Sequence, residues 1–530
     1  MACAVTQGTI DVVVRNGFLG PGGVERYDTF SAPVLNNAGQ LAFSATLTNT
    51  PGGAGVDDLG IYRTGVGAID EIALKGDAPP GGNGTFNTLG SISLNDTGQV
   101  GFTSLIANSV DPPNDSDGVF RGNGTVIDQI VRAGSAPSDS NGSFATFFDG
   151  AVINSAGQLC FPEFIGGTLN SPFDDSGLFV GNGGTPTQVV REGGAAPGSI
   201  GTFDGNFVTS PSINNAGQAA FGVTLAGTAG APNDNEFIYR GNGGPLVTIA
   251  REGTAHPDGD GTFGVLGGSG TVFGAPVLNE SGVAAFTAQL IGTSGGNNDN
   301  SGIFSGNGTT TTTLAREGDT SPDGNGEFSF FNPPAFNDMG QAAFIASLRN
   351  TSGQFFDNRG VFRSDGNNTV LAFRKGLAAP SDVAFDGTFD SFGAVALNNA
   401  GQVLVEANLA NTSDGALNDR GLFLFDDARG VVPIVREGDI INGQAVTSIA
   451  LAAGAAEDAN DPERNGLNDA GQVAFLFVLA DGDRGLALFS FFTGDGDYND
   501  DGVVNAADYV VWRDTLGQSV PTGTGADSNG

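Results

Sequence analysis

The 530-residue chain carries 58 acidic against 21 basic side chains, a net charge of −37, with 87 glycines and two cysteines. That charge excludes a general electrostatic footprint for nucleic acid or for an anionic membrane surface. Two cysteines make no disulfide framework, and no apolar run reaches the length that spans a bilayer.

Abundant Gly, Asn, Asp, Thr and Phe, without helical heptads, points to many short strands joined by turns. The opening Met1-Ala2-Cys3-Ala4-Val5 ends in an Ala-x-Ala-like triplet, compatible with the stub of an export signal. Residues 10–17 alternate as a strand, and the first copy of the dominant motif follows: Asn36-Asn37-Ala38-Gly39-Gln40-Leu41-Ala42-Phe43.

This Asn-x-x-Gly-x-x-Ala-Phe pattern recurs at Asn95, Asn154, Asn214, Asn279, Asn337, Asn398 and Asn468, at spacings of 59, 59, 60, 65, 58, 61 and 70 residues. A fixed period of this length signals a repeat architecture. Each copy reads as a tight hairpin: Asn opens the turn, Gly takes a left-handed bulge position, and strand alternation starts at once. The Phe yields only to Val405. The residue before it stays small (Ala42, Gly101, Cys160, Ala220, Ala285, Ala343, Ala474) except at Leu404. Large on one face and small on the other suits a sheet packed on both sides, with Cys160 as a small core residue.

Each repeat holds four strand-like segments, seen in the second copy at 86–94, 99–106, 118–121 and 125–132, the last two joined by Gly-Asn-Gly. Residues 10–17 match a fourth strand without a repeat, as in Gln188-Val189-Val190-Arg191-Glu192-Gly193. The last repeat ends at Gly485-Leu486-Ala487-Leu488-Phe489 without a fourth strand. Pairing the two removes two open edges at once. The fold class is therefore all-β, an eight-bladed β-propeller of four-stranded antiparallel blades closed by the N-terminal strand, over residues 1–493.

The fourth strand ends in Arg at Arg15, Arg132, Arg191, Arg251, Arg316, Arg374 and Arg436, with Leu74 in its place once. Glu follows at Glu192, Glu252, Glu317 and Glu437, and such regular recurrence reads as a repeated ion pair at blade ends. Asx-rich loops between second and third strands, such as Asn114-Asp115-Ser116-Asp117 and Asp357-Asn358, have the oxygen donors for Ca²⁺ or for capping their own turns. The period is lengthened at 264–272 and at 456–464, where a repeat scaffold can carry a specific site. His256 stands where other copies have Ala or Ser, and reads as a surface residue without a partner. Glu163, Glu236, Glu406 and Glu457 are acids outside the repeat consensus.

After residue 493 comes a separate module, 494–530. Its segment Asp497-Tyr498-Asn499-Asp500-Asp501-Gly502-Val503-Val504-Asn505-Ala506-Ala507-Asp508 follows a calcium-loop pattern. Asp497, Asn499, Asp501, Asn505 and Asp508 supply side-chain oxygen, Val503 its carbonyl, and Gly502 the sharp turn. A short helix over 509–516 follows, ending at Gly517.

This module resembles a type I dockerin repeat, which uses Asp at the twelfth position. Asp527-Ser528-Asn529-Gly530 resembles the opening of a second such loop. The resemblance implies Ca²⁺ as cofactor, an extracellular setting and a cohesin-type partner, with Ala506 and Ala507 at positions that tune partner choice. The larger part resembles bacterial exported proteins bearing this same tandem repeat, which combine with varied surface-anchoring modules and have no assigned activity.

Three functions stay open at this point: a surface-displayed propeller binding a glycan or protein, a secreted polysaccharide-acting enzyme with two converging carboxylates, and a structural cell-surface component.

Overall fold

All eight motif copies build the same turn. The glycine N–H donates to the asparagine carbonyl three residues back at 2.8–3.1 Å, and each motif glycine (Gly39 to Gly471) has φ between +70° and +79°. A side chain there would strain the backbone, which is why the position is always Gly. The computed structural model describes residues 8–491 other than 66, 148–149, 206–210, 266–269, 381–385 and 453–464, together with 506–515.

The motif strand leaves this turn as the second strand of an antiparallel sheet, for example Leu41–Thr48 or Val100–Ala107. Its neighbours are the segment before the turn and the aromatic third strand, and a fourth strand completes the sheet. Eight such sheets follow one another along the chain, giving an all-β, eight-bladed propeller. Among the described residues the segment before the Asn is one continuous strand only in blade 7, Thr388–Leu397. In blade 2 it is two pieces, Thr85–Phe86 and Ile92–Leu94, paired to the two ends of the same partner.

The ring closes as the termini require. Gly8–Arg15 lies antiparallel on Arg484–Phe491, with Gly8 opposite Phe491 and Arg15 opposite Gly485. Arg15 pairs with Asp483, and Asn16 exchanges two bonds of 3.0 Å with Arg484. The first segment thus supplies the strand that the eighth blade lacks.

Alternating large and small residues set the packing between blades. In blade 2, Phe86, Phe102 and Phe120 form a trio with centroids 5.1–5.9 Å apart. That trio is buried against Val34, Ala42 and Ile61 of blade 1. Phe328, Phe344 and Phe362 of blade 6 meet Ala285, Ile303 and Ala315 of blade 5 in the same way. Ala42, Phe43, Cys160 and Phe161 are all fully buried, so both faces of each sheet are covered and the motif needs a large residue on one and a small one on the other.

Polar brackets join the blades where apolar contact ends. Buried Asp117 of blade 2 accepts from its own Gly118 N–H at 2.9 Å and from Phe147 N–H of blade 3 at 3.1 Å. Glu236 takes the same strand position in blade 4 and accepts from Val272 N–H at 2.8 Å. The lengthened stretch of the fifth repeat therefore ends docked on its neighbour.

Burial pushes the Asp117 carboxyl up to about 6, against the pull of those two N–H groups. A carboxyl with a raised native pKa holds its proton more tightly folded than unfolded. Its contribution to stability therefore rises as pH falls through 6 and levels off below the unfolded value near 4. Lowering the pH from about 7 to about 5 is expected to stabilise the wild type by roughly 1 kcal/mol relative to Asp117→Asn. Urea midpoints at both pH values measure this, and equal shifts in the two proteins would contradict it.

Candidate functional site

The motif asparagines meet on the ring axis. Each is at most 5% exposed, and each side-chain amide donates to the main-chain carbonyl of the next motif asparagine. Asn36 donates to Asn95, Asn95 to Asn154, Asn154 to Asn214 and Asn214 to Asn279. The series continues to Asn337, Asn398 and Asn468, and Asn468 returns to Asn36. The eight bonds span 2.8–3.3 Å and form a closed circuit running in one direction.

The same side chain holds its own turn. Asn36 Oδ1 accepts from Gln40 N–H at 2.8 Å and its amide also donates to Gln40 Oε1 at 3.0 Å. The backbone bond is repeated in every copy, as at Asn154 and Gln158 (2.9 Å). Asp has no donor for this task, and Gln is a methylene too long to reach both groups. A second clamp comes from the third strand: Arg63, Arg121, Arg240 and Arg363 each donate to the motif glycine carbonyl of the following blade.

One residue further on, a second and more exposed ring faces solvent: Asn37, Asp96, Ser155, Asn215, Glu280, Asp338, Asn399 and Asp469. Backbone N–H groups of one blade donate to side chains of the next, as from Asn37 to Asp96, Glu280 to Asp338 and Asp469 to Asn37, all at 2.8 Å. These residues, the buried Asn36, Asn279, Asn337 and Asn398, and an apolar layer including Leu35, Leu94, Ile213 and Phe336 line an axial cavity of about 120 Å³. Burial pushes the Glu280 carboxyl up against the opposing Asn215 N–H, and the charges of Asp338 and Asp96 add to the rise. The mouth thus offers carboxylate and carboxamide oxygens, with amide donors among them, above an apolar floor.

The other sequence candidates separate. Asp497, Asn499, Asp501, Val503 and Asn505 lie outside the described residues, as do Glu457 and the long link into the eighth repeat. Asp508 falls in the helix Ala506–Thr515, one turn earlier at its start than the sequence reading. Glu163, Glu236 and Glu406 stand on three different blades and do not converge. Glu163 accepts from Ala145 N–H at 3.2 Å and Glu406 from Arg420 Nε at 2.8 Å. Cys160 is buried, as expected.

His256 is a correction: it is 3% exposed, not a surface residue. Its Nδ1 meets Asp258, its Nε2 lies 3.2 Å from Thr313 Oγ1, and its ring stands edge-on to Phe304. Nothing in a loop of Pro, Asp and Gly announces that burial.

The repeated arginines are structural, with partners other than the following Glu. Arg191 reaches Asp139 at 2.9 Å and the carbonyls of Asp174 and Asn141. Arg374 repeats this with Asp323, Asp357 and Asn325. Glu192 and Glu252 instead accept from the N–H groups of Asp175 and Asn235. The Asx-rich loops cap themselves: Asp57 accepts from Gly52 N–H at 2.7 Å, Asp357 from Gly353 N–H at 3.0 Å and Asn325 Nδ2 at 2.7 Å. Among the described residues no three His, Cys, Asp or Glu side chains are placed to hold one metal ion.

The fold and this axial ring define a closed propeller built from one tandem repeat. The chain belongs to a family of unknown function (DUF7453), whose model matches residues 3–117, 108–272 and 268–492. No curated protein sequence matches it.

Among solved structures it is similar to the β-propeller domain of the trilobed protease from Pyrococcus furiosus, at 9% identity and a TM-score of 0.39, covering 78% of this chain and 100% of that one. An oligogalacturonate lyase in complex with manganese is similar at 11% identity and a TM-score of 0.35, over 92% and 99% of the two chains. An ulvan lyase is similar at 12% identity and a TM-score of 0.33, over 76% and 93%. At such identities the likeness concerns the fold alone. Among the described residues no helix is long and apolar enough to cross a membrane.

The asparagine ring makes a sharp stability prediction. Asn154→Ala leaves the Gln158 N–H without its side-chain acceptor and removes one of two donors from the Asn214 carbonyl, which keeps the Gly217 N–H; it is expected to cost about 1–3 kcal/mol in urea unfolding. Ser155→Ala, one residue away, is expected to change stability by less than about 0.5 kcal/mol. Similar costs for the two would remove the special role of the asparagine.

Proposed function

We propose that the chain is a binding propeller displayed outside the cell, without catalytic activity of its own. It holds a hydroxyl-rich ligand, a glycan, at its axial mouth. A Ca²⁺-loaded C-terminal segment attaches it to a cohesin-type partner.

The observation that carries the reading is the exposed axial ring, in which four carboxylate and three carboxamide side chains stand with one serine. Carboxylate and amide oxygens accept hydroxyl protons, asparagine amides donate to ring and hydroxyl oxygens, and an apolar floor suits the C–H face of a sugar. The polysaccharide-enzyme reading needs paired acids, and of the off-consensus glutamates the described ones, Glu163, Glu236 and Glu406, stand on separate blades. For the C-terminal segment the support is the order of oxygen donors Asp497, Asn499, Asp501, Val503, Asn505 and Asp508 around Gly502.

A glycan array followed by calorimetry tests the mouth. Binding is expected in the wild type and to weaken at least about tenfold in an Asp338→Ala, Glu280→Ala double variant; unchanged affinity in that variant would place the ligand elsewhere. Trp512 is the one tryptophan of the chain, so its emission reports on the C-terminal segment alone. Adding Ca²⁺ is expected to change that emission, chelation to reverse it, and Asp497→Ala with Asp501→Ala to abolish it.

A further inference from the structure

Blade 1 departs from the other blades at one place, and the departures belong together. In seven blades the fourth strand carries Arg across from a fixed third-strand position. Arg132 lies opposite Gly118, Arg191 opposite Gly177, Arg316 opposite Gly302 and Arg374 opposite Gly360. In blade 1 the same register sets Leu74 opposite Gly60.

The guanidinium has recurring acceptors. Its Nε donates to the loop carbonyl of Asp115, Asp174, Asp299 or Asp357 at 2.7–3.1 Å. Its Nη1 meets an aspartate five residues before the first-strand phenylalanine: Asp139, Asp258 or Asp323, at 2.8–3.0 Å.

Blade 1 lacks the arginine, keeps one of its acceptors and replaces the other. Asp57 is its loop aspartate. Gly22 stands at the place of Asp139, but its N–H holds the Glu25 carboxylate there at 2.6 Å, and Glu25 in turn replaces the glycine of Gly84, Gly142 and Gly326. Glu71 lies opposite Tyr62, where blade 2 has Gln129 and blade 5 Thr313. The nearest lysine, Lys75, is engaged with Asp58 at 3.1 Å.

An independent feature points to the same spot. Tyr27 and Tyr62 replace the phenylalanine pair seen as Phe86 with Phe120 and Phe144 with Phe179. They are 2% and 0% exposed, and their rings meet at 86° with centroids 5.1 Å apart. Neither hydroxyl has a hydrogen-bond partner among the described residues. The Tyr62 hydroxyl lies against Gly60, the residue opposite Leu74, so this phenol ends where the other blades bring in their arginine, with the Tyr27 ring edge-on beside it. Burial, then the charges of Glu25 and Glu71, push the Tyr27 phenol up, and burial pushes up Glu71 with Asp77 and Glu25 adding to it.

We propose that this cluster on blade 1, formed by Glu25, Glu71, Asp77 and the hydroxyls of Tyr27 and Tyr62 beside Leu74, is a binding site for a guanidinium group supplied from outside the chain. A planar guanidinium satisfies several acceptors at once, and the same fold accommodates one at this register in seven other places. The site lies on the face opposite the axial mouth, because it sits at the loops between second and third strands and between blades. It is independent of the glycan reading.

Calorimetry on the full chain with agmatine, against butylamine and CaCl₂, tests the chemistry. An Arg-containing tripeptide distinguishes a partner's side chain from a free guanidine. Agmatine is expected to bind at least about tenfold more tightly than butylamine. A tripeptide tighter than agmatine identifies a polypeptide source, and equal affinities identify a free one. Leu74→Arg is expected to raise the melting temperature and abolish binding, because the chain then supplies the group itself. Glu71→Gln and Tyr62→Phe, which keep the blade packing, are expected to weaken it several-fold. Equal binding of agmatine and butylamine, no binding of agmatine at millimolar concentration, or full agmatine affinity in both Leu74→Arg and Glu71→Gln would overturn the proposal.

Discussion

A circuit of eight amide-to-carbonyl hydrogen bonds, each from one motif asparagine to the next, is the constraint on which the rest of the ring depends. It runs in one direction and ends where it began, from Asn468 to Asn36. Each link is buried, so opening one would take an amide donor from its acceptor and leave that carbonyl with the motif-glycine N–H alone. One asparagine side chain both shapes its own turn through the backbone N–H four residues on and fixes the distance to the next blade. The period of the sequence and the circumference of the ring are therefore set by the same atoms.

Outward from that circuit the interactions change character without losing the register. Phenylalanine trios pack on the small faces of the preceding blade. Third-strand arginines hold the following turn, and fourth-strand arginines tie the loops of the opposite face. Against such repetition the informative positions are those that break it. Blade 8 replaces the aromatic pair with Val446 and Ala487 and takes its last strand from the chain's beginning. Blade 1 exchanges one arginine for leucine and gathers acids and phenols around it. In a symmetric scaffold a chemically distinct site must come from such exceptions, or from the axis where all copies meet.

Much of the architecture was legible because it rests on short-range rules. The left-handed glycine, the alternation after Gln40 and the missing fourth strand of the last repeat each follow from local residue chemistry, and the observed register of Gly8–Arg15 on Arg484–Phe491 agrees with them. The asparagine's second task was not legible, because its partner is the same residue type some sixty positions away and the turn alone accounts for its identity. His256 was misread because its partners Asp258, Thr313 and Phe304 come together only when the loop folds back on its own blade. The blade 1 cluster left one visible trace, Leu74 in a column of arginines; Glu25, Tyr27 and Tyr62 gain meaning only once the strand register aligns them with Gly and Phe elsewhere.

The account stands on the asparagines acting as one circuit rather than eight separate turns. Native-state hydrogen exchange of the Asn154→Ala variant, followed peptide by peptide around the ring, tests this most directly. The account predicts that protection falls at all eight motif turns, including the one at Asn398, four blades from the substitution. Loss confined to the turns at Asn95, Asn154 and Asn214, with the far side of the ring unchanged, would contradict it.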